Sequence, residues 1–132
     1  MPIKKHFFNP PGVRPPFGQY HHGGTFTSDK SSQWLFSSGQ LGIGEDDVIP
    51  ESAEAQARLC FEALRHILEA AELDFSDVVK LIAYVTDRSY FPEYMSVRDE
   101  YILAPAPTST LLIVSGFTRP EFKVEVELIA VR

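Results

Sequence analysis

Cysteine is almost absent from this sequence: Cys60 is the only one in 132 residues. A single cysteine excludes an intrachain disulfide and fits a reducing compartment. Apolar runs are also short, since none reaches the roughly 18 residues that a membrane-spanning helix requires. Residues 1–5 contain no hydrophobic signal core. We therefore expect a cytoplasmic protein with no membrane partner.

Basic residues are scarce, because 12 Lys and Arg stand against 18 Asp and Glu, a formal net charge of −6. This balance, without a run of basic residues, argues against binding to nucleic acid phosphates. A phosphate-binding glycine loop is missing as well, since Gly-Ile-Gly at 42–44 is followed by acidic residues at 45–47. We expect no nucleic acid partner.

Metal ligands at a useful spacing are also missing. His21 and His22 are adjacent, so their rings point in different directions from an extended backbone, and no Asp, Glu or Cys stands at a metal-ligand spacing from them. We expect no metal site. Together with Tyr20, both imidazole rings are predicted to lie at a surface or an interface.

What the chain does have is an ordinary globular composition, with 44% hydrophobic and 23% charged residues. Its length predicts one domain over residues 1–132. Residues 1 to about 24 are rich in Pro and Gly, which predicts extended chain with a short strand from Lys4 to Phe8. Two strands, residues 25–28 and 33–37, are predicted to flank a polar turn at 29–32, and residues 41–51 form a loop.

The strongest periodic signal predicts a helix over residues 52–73 with Ser52 as its N-cap. Its apolar residues follow the i, i+3, i+4, i+7 pattern of one buried stripe: Ala57, Cys60, Phe61, Leu64, Ile67, Leu68 and Ala71. Because Cys60 lies within the stripe, we interpret it as a core side chain rather than a nucleophile. His66 lies outside the stripe and is expected in solvent.

Residues 78–86 are rich in β-branched and aromatic side chains, which predicts a strand nearly buried on both faces. A second helix is expected to begin at Asp87 or Ser89, with Pro92 in its first turn, and to run to about residue 103. Its apolar stripe comprises Phe91, Tyr94, Met95, Tyr101 and Ile102. Arg98 occupies a matching place: either its buried guanidinium needs an anion opposite, or it reaches water at the edge while Val97 packs.

Two closing strands are predicted within residues 105–114 and 122–131, joined by a loop with Gly116 and Pro120. Strand alternation puts Phe122, Val124, Val126, Leu128 and Ala130 on one face and Lys123, Glu125, Glu127 and Ile129 on the other. Two carboxylates therefore project from one face. The residues alone favour a solvated face or a salt bridge, with Lys123 as the partner.

The order of these elements predicts an α+β fold, one mixed sheet with both helices on a single face. The sheet's other face is then lined by apolar side chains: Ile82, Tyr84, Ile113, Ile129 and Val131. An exposed apolar patch of this size indicates self-association.

Several short motifs, in this order and spacing, resemble the Rid family, also called the YjgF or L-PSP family of reactive-intermediate deaminases. They are Gly18-Gln19-Tyr20, Ser38-Gly39-Gln40, Glu54-Ala55-Gln56-Ala57, residues 77–87, Val97-Arg98-Asp99-Glu100-Tyr101 and Val124-Glu125-Val126-Glu127. The resemblance implies a chorismate-mutase-like fold. It also implies a homotrimer whose sheets surround a central barrel, with a small-molecule ligand in each cleft between subunits.

The resemblance further implies hydrolysis of an enamine or imine to a keto acid and ammonia, with no metal or organic cofactor. By position, Tyr20 would line the pocket, Gly39 would border it with its backbone, and Glu125 would hold a water and move protons. A partly desolvated carboxylate suits that task because its pKa is raised.

One departure from the family pattern concerns the substrate. Ser109 stands where deaminases of the family carry an arginine that grips the substrate carboxylate, a loss of about 2–5 kcal/mol of carboxylate binding. We therefore expect an imine or enamine deaminase with a non-standard substrate, in a pocket shaped by Tyr20, Ser109 and Thr110. Met95 is a second departure: either the ligand differs, or another cation such as Arg14, Arg98 or Arg119 approaches from a neighbouring subunit. The alternative is a non-catalytic trimer that binds a small ligand or a protein.

Overall fold

The computed structural model describes residues 3–28 and 32–132. Within them the chain forms seven strands and two α-helices: β1 Lys4–Phe8, β2 Gly23–Ser28, β3 Ser32–Ser37, β4 Gln40–Leu41, α1 Ala53–Ala70, β5 Val78–Val85, α2 Phe91–Tyr101, β6 Thr108–Ile113 and β7 Val124–Val131. Short 3-10 turns precede β5 and α2. Every predicted element is present, and β4 is an additional one. Most of the predicted turn at 29–32 lies outside the described residues.

All seven strands join one sheet in the order β1-β2-β3-β7-β5-β6, with β4 pairing to β7 beyond the end of β3. The β5–β6 pair is parallel and the other pairs are antiparallel, so the sheet is mixed. The two closing strands, β6 and β7, are not neighbours, because β5 lies between them. A parallel β5–β6 pair needs a crossover, and α2 supplies it.

Helix α1 begins as predicted, since the Ser52 hydroxyl accepts the Ala55 backbone N–H at 3.1 Å. The whole predicted stripe is buried, from Ala57 to Ala71. It packs with α2 on one face of the sheet, against alternate residues of β5 and β7. Cys60 is fully buried, and this burial raises the pKa of its thiol well above the ordinary range. The interpretation of Cys60 as a core residue is therefore confirmed. These contacts confirm the α+β architecture with both helices on one face.

Helix α2 follows a turn that Asp87 caps by accepting the Ser89 N–H at 2.9 Å. Tyr94 and Val97 are its buried residues. Met95 is 38% exposed, so its assignment to the apolar stripe was wrong, and Val97 packs instead. Arg98 lies at the edge of the stripe, but it does not extend into water: its side chain is only 12% exposed and pairs with Asp99 at 3.3 Å.

The second face of the sheet, here called the open face, carries no helix. Its apolar members include Phe26, Trp34, Phe36, Ile82, Tyr84, Leu112, Ile129 and Val131. Within one chain β5 is therefore buried on one face only, which corrects the expectation of burial on both. Ile113 is a second correction, because it pairs with Val85 and so lies on the helix side. The predicted uncovered apolar surface is otherwise confirmed.

Candidate functional site

Glu125 lies on the open face of β7, between neighbours of two other strands. The register places it opposite Leu41 of β4 and opposite Tyr84 of β5. Alternate residues Val124 and Val126 are fully buried beneath the helices, so the pleat directs the Glu125 side chain to the other face. Glu125 itself is partly buried.

Gly39 makes room for the Glu125 carboxyl group. β3 leaves β7 after Phe36, and the Ser37 hydroxyl accepts the Leu128 N–H at 2.9 Å where the strand pairing stops. The chain then bulges, and a Cβ atom on Gly39 would lie 2.6 Å from Glu125 Cδ. Since Cδ is near the end of a flexible side chain, any residue larger than glycine would displace the carboxyl group rather than the backbone.

The charge environment of Glu125 is negative. Burial, and then the neighbouring Glu127 carboxylate, raise the pKa of Glu125. Tyr84 donates its hydroxyl hydrogen to Glu127 Oε2 at 3.0 Å, and burial, followed by the two carboxylates, raises the pKa of Tyr84. Of the two alternatives that the residues alone left open, the salt bridge to Lys123 is absent, because the Lys123 ammonium group donates to the Glu51 carbonyl and does not pair with Glu125.

Tyr20 and Gly39 line one small cleft beside this site. The Tyr20 ring is 39% exposed, and its hydroxyl oxygen accepts the Phe17 N–H at 3.2 Å. Its edge meets the ring of His22, with centroids 5.9 Å apart. Arg14 lines the same cleft, but its Nε donates to Asp47 at 2.6 Å and its guanidinium lies 4.1 Å from the centre of the Phe17 ring.

His22 is 5% exposed, which corrects the prediction that both histidine rings lie at a surface. Its Nε2 lies 2.7 Å from the Arg14 carbonyl and its Nδ1 lies 3.1 Å from the Gln40 amide nitrogen. Burial lowers the pKa of His22, so a neutral ring that donates to Arg14 and accepts from Gln40 ties the N-terminal segment to β4. His21 is exposed and stacks on Phe7 at 5.8 Å. In the described part of the chain no three His, Cys, Asp or Glu side chains form a group able to hold a metal ion.

The two β6 residues lie on different faces of the sheet. Thr110 pairs with Ile82, which pairs with Glu127, so all three share the open face. Ser109 pairs with Leu81, a fully buried residue on the helix side. Within one chain, Ser109 and Glu125 therefore point to opposite faces, and Thr110 lies two strands away from the carboxylates.

The structure thus places Gly39 against Glu125 and beside Tyr20 in a cleft that Glu125 itself does not line. It leaves Arg98 apart on α2, where Arg98 bonds to Asp99. Arg119 is also engaged, since it pairs with Glu121 at 3.3 Å. Together with Arg14, all three candidate replacement cations are already paired with a carboxylate of the same chain.

Gln56 is a residue that the sequence reasoning missed. It is fully buried, and its amide nitrogen donates to the carbonyls of Pro50 and Glu121, both at 2.9 Å. Its amide oxygen accepts the Lys123 N–H at 2.8 Å, which fixes the approach to β7 and hence the position of Glu125. Its place one turn before Cys60 on the same helical stripe was the available signal.

The fold and the site define a small α+β protein with a half-buried carboxylate on an uncovered sheet face. A family model described as Endoribonuclease L-PSP matches residues 13–132, and the chain belongs to this family, the Rid, YjgF or L-PSP family. None of the described helices is long and apolar enough to cross a membrane.

Two curated relatives from Escherichia coli (strain K12) align with most of the chain. The RutC family protein YjgH is 32% identical over 99 residues, 74% of this chain and 76% of that protein. TdcF, named a reactive intermediate deaminase, is 31% identical over 102 residues, 74% of this chain and 78% of that protein. The crystal structure of E. coli TdcF with bound serine has a TM-score of 0.82 at 29% identity, over 96% of this chain and 98% of that chain.

Proposed function

We propose that residues 1–132 form one domain of a cytoplasmic, cofactor-independent hydrolase that converts a small reactive imine or enamine to a carbonyl compound and ammonia. The observation that carries this proposal is the half-buried Glu125 carboxyl group, placed against the Gly39 backbone on the open face with a raised pKa. The name of TdcF and its structure with bound serine support a small-molecule substrate of this class.

The proposed reaction needs only water as a co-reactant. The Glu125 carboxylate takes a proton from water as the water oxygen bonds to the carbon of a protonated C=N group. The resulting carbinolamine carries its amine on the same carbon. Glu125 returns the proton to that nitrogen, and the C–N bond breaks with its electron pair leaving on ammonia. The hydroxyl oxygen becomes the carbonyl as its proton passes to the Glu125 carboxylate, which then gives that proton to ammonia, so ammonium leaves. An enamine enters the same sequence once its carbon is protonated.

The open face supports assembly as a homotrimer with a chorismate-mutase-like arrangement of three sheets around a barrel. Trp34 and Phe36 are 45% and 44% exposed, and they continue the apolar surface of Ile129 and Val131 across β3 and β7. Large exposed apolar patches are costly in water and are commonly covered by another subunit. A second subunit over this face would turn the surface around Glu125 into a cleft.

A non-standard substrate fits the charges around the site. Ser109 replaces the family arginine, and Arg14, Arg98 and Arg119 are each paired with an acidic side chain of their own chain. A substrate carboxylate would therefore have to displace one of these acids or do without a cation. The same observation favours the second candidate, a trimer that binds a small ligand without catalysis.

The test is to generate imines in situ, 2-aminoacrylate among them, and to follow the release of ammonia. We expect the protein to accelerate the decay of at least one C=N compound, and Glu125→Gln to reduce that acceleration by about 10²–10⁴-fold. Glu69→Gln is the matched control, because it removes an exposed carboxylate of α1, on the helix-covered side of the sheet. Ser109→Arg should improve activity on amino-acid imines if the lost arginine set the substrate. The proposal is overturned if wild type accelerates the decay of no imine and if wild type and Glu125→Gln bind the tested imines equally.

A further inference from the structure

Three polar side chains of the open face form a connected group at the centre of the sheet. Glu125 and Glu127 lie two residues apart on β7, so both project from the same side. Tyr84 stands opposite Glu125 in the strand register, but its hydroxyl group reaches diagonally to Glu127 Oε2 at 3.0 Å. The hydrogen bond holds the Glu127 carboxylate on the sheet, next to Glu125.

Other charged groups around Glu125 are directed elsewhere. Immediately before β7, the ammonium group of Lys123 donates to the Glu51 carbonyl and lies 5.4 Å from the centre of the Tyr90 ring. On β5, Lys80 shares the open face, and neither glutamate forms a salt bridge with it or with any other described residue.

The elements on the remaining sides add no counter-ion. β4 contributes Gln40 and Leu41, which carry no charge. Arg14 of the N-terminal segment is paired with Asp47, and from α1 the buried Cys60 thiol donates to the Val124 carbonyl at 3.7 Å. Glu127 is the neighbouring charge that acts on Glu125.

We propose that Glu127 and Tyr84 are positioning residues that set the protonation of Glu125: Tyr84 fixes the Glu127 carboxylate, and its negative charge favours the proton on Glu125. The proposal deepens the proposed function and rests on it for its consequence in catalysis. A carboxyl group that must take a proton from water and return it to nitrogen works best when both of its forms are accessible near the working pH. The two positioning residues bring Glu125 toward that condition without contacting the substrate.

The direct test is a titration of Glu125 by NMR with carboxyl-labelled glutamate, the Glu125 signal being assigned by its loss in Glu125→Gln. We expect Glu127→Gln to move the Glu125 midpoint to lower pH, because the variant keeps an acceptor for Tyr84 and loses only the charge. Tyr84→Phe should give a smaller shift in the same direction, since the freed Glu127 carboxylate moves toward water. Glu127→Asp should keep most of the wild-type midpoint, and Glu69→Gln, which removes an exposed carboxylate of α1, should keep all of it.

The pH profile of imine hydrolysis gives the second readout. Glu125 acts first as a base, so kcat/KM should rise with pH through its pKa, and this acid limb should move to lower pH in Glu127→Gln. An unchanged NMR midpoint in folded Glu127→Gln overturns the coupling, whatever the activity. A shifted midpoint in a protein that hydrolyses no imine supports the coupling and counts against the proposed function alone. If Glu127→Gln does not fold, Tyr84→Phe and Glu127→Asp decide by the same criteria.

Discussion

The two faces of the sheet differ in burial and in polarity, and the eight residues of β7 contribute alternately to both faces. Its residues Val124, Val126 and Leu128 are buried under the helices at 1% exposure or less. Alternate residues on the open face include Glu125 and Glu127, which keep contact with solvent in the single chain. The helix-covered face is a packed core that specifies the fold, while the open face combines apolar surface with paired carboxylates. The proposed site therefore lies on the face of the sheet that the helices leave uncovered.

The largest predicted effect is a difference between substitutions at two neighbouring residues of β7, one on each face of the sheet. Leu128→Ala opens a cavity under the helices and should cost about 2–5 kcal/mol of the free energy of unfolding. Ile129→Ala, one residue on, truncates the open face and should instead weaken self-association. Urea unfolding at two protein concentrations with light scattering measures both effects. Equal losses of stability, with no change in molecular mass for Ile129→Ala, would contradict the division between the faces.

A smaller loss of the free energy of unfolding is expected when the hydrogen bonds of Gln56, which connect the core with the start of β7, are removed. Gln56→Leu keeps the side-chain volume but leaves two carbonyls and the Lys123 N–H without their partner, so we expect a loss of about 2–3 kcal/mol. Urea unfolding measures it. A Gln56→Leu protein as stable as wild type would show that water replaces these hydrogen bonds at no cost.

The smallest effect concerns stability against pH. The raised pKa of Glu125 means that its protonated form favours the folded chain at low pH, and that this contribution is lost as pH rises through the folded pKa. Glu125→Gln should therefore have a higher Tm than wild type at pH 7 and an equal Tm near pH 4. For Glu121 the sign reverses, since a hydrogen bond to its own backbone lowers its pKa. A constant Tm difference between wild type and Glu125→Gln from pH 4 to 8 would argue against a raised pKa of Glu125 in the folded chain.

Local patterns were sufficient for most of the fold. The stripe of α1, the alternation in β7 and the single-face position of the helices all follow from periodicity, which a burying face imposes on the sequence. Ile113 was placed on the wrong face because alternation within β6 does not say how that strand registers with β5. Met95 was misplaced because α2 carries more apolar residues than it buries, and the sequence does not say that Tyr94 and Val97 are the ones that face the core.

The site was less accessible to sequence reasoning, for a physical reason. Glu125 and Gly39 are far apart in the chain, and only the bulge between β3 and β4 brings them into contact. The burial of His22 depends likewise on contacts with Arg14 and Gln40 that no local pattern encodes. Tyr84 and Gln56 looked like ordinary strand and helix residues, although their hydrogen bonds hold the carboxylates and the approach to β7.

The most direct measurement is the rate at which wild type and Glu125→Gln accelerate the decay of one and the same imine, followed by ammonia release at pH 7. We expect wild type to accelerate the decay, and we expect Glu125→Gln, folded and with the wild-type oligomeric state, to lose about 10²-fold or more of that acceleration. Equal acceleration by the two proteins would contradict the central role of Glu125.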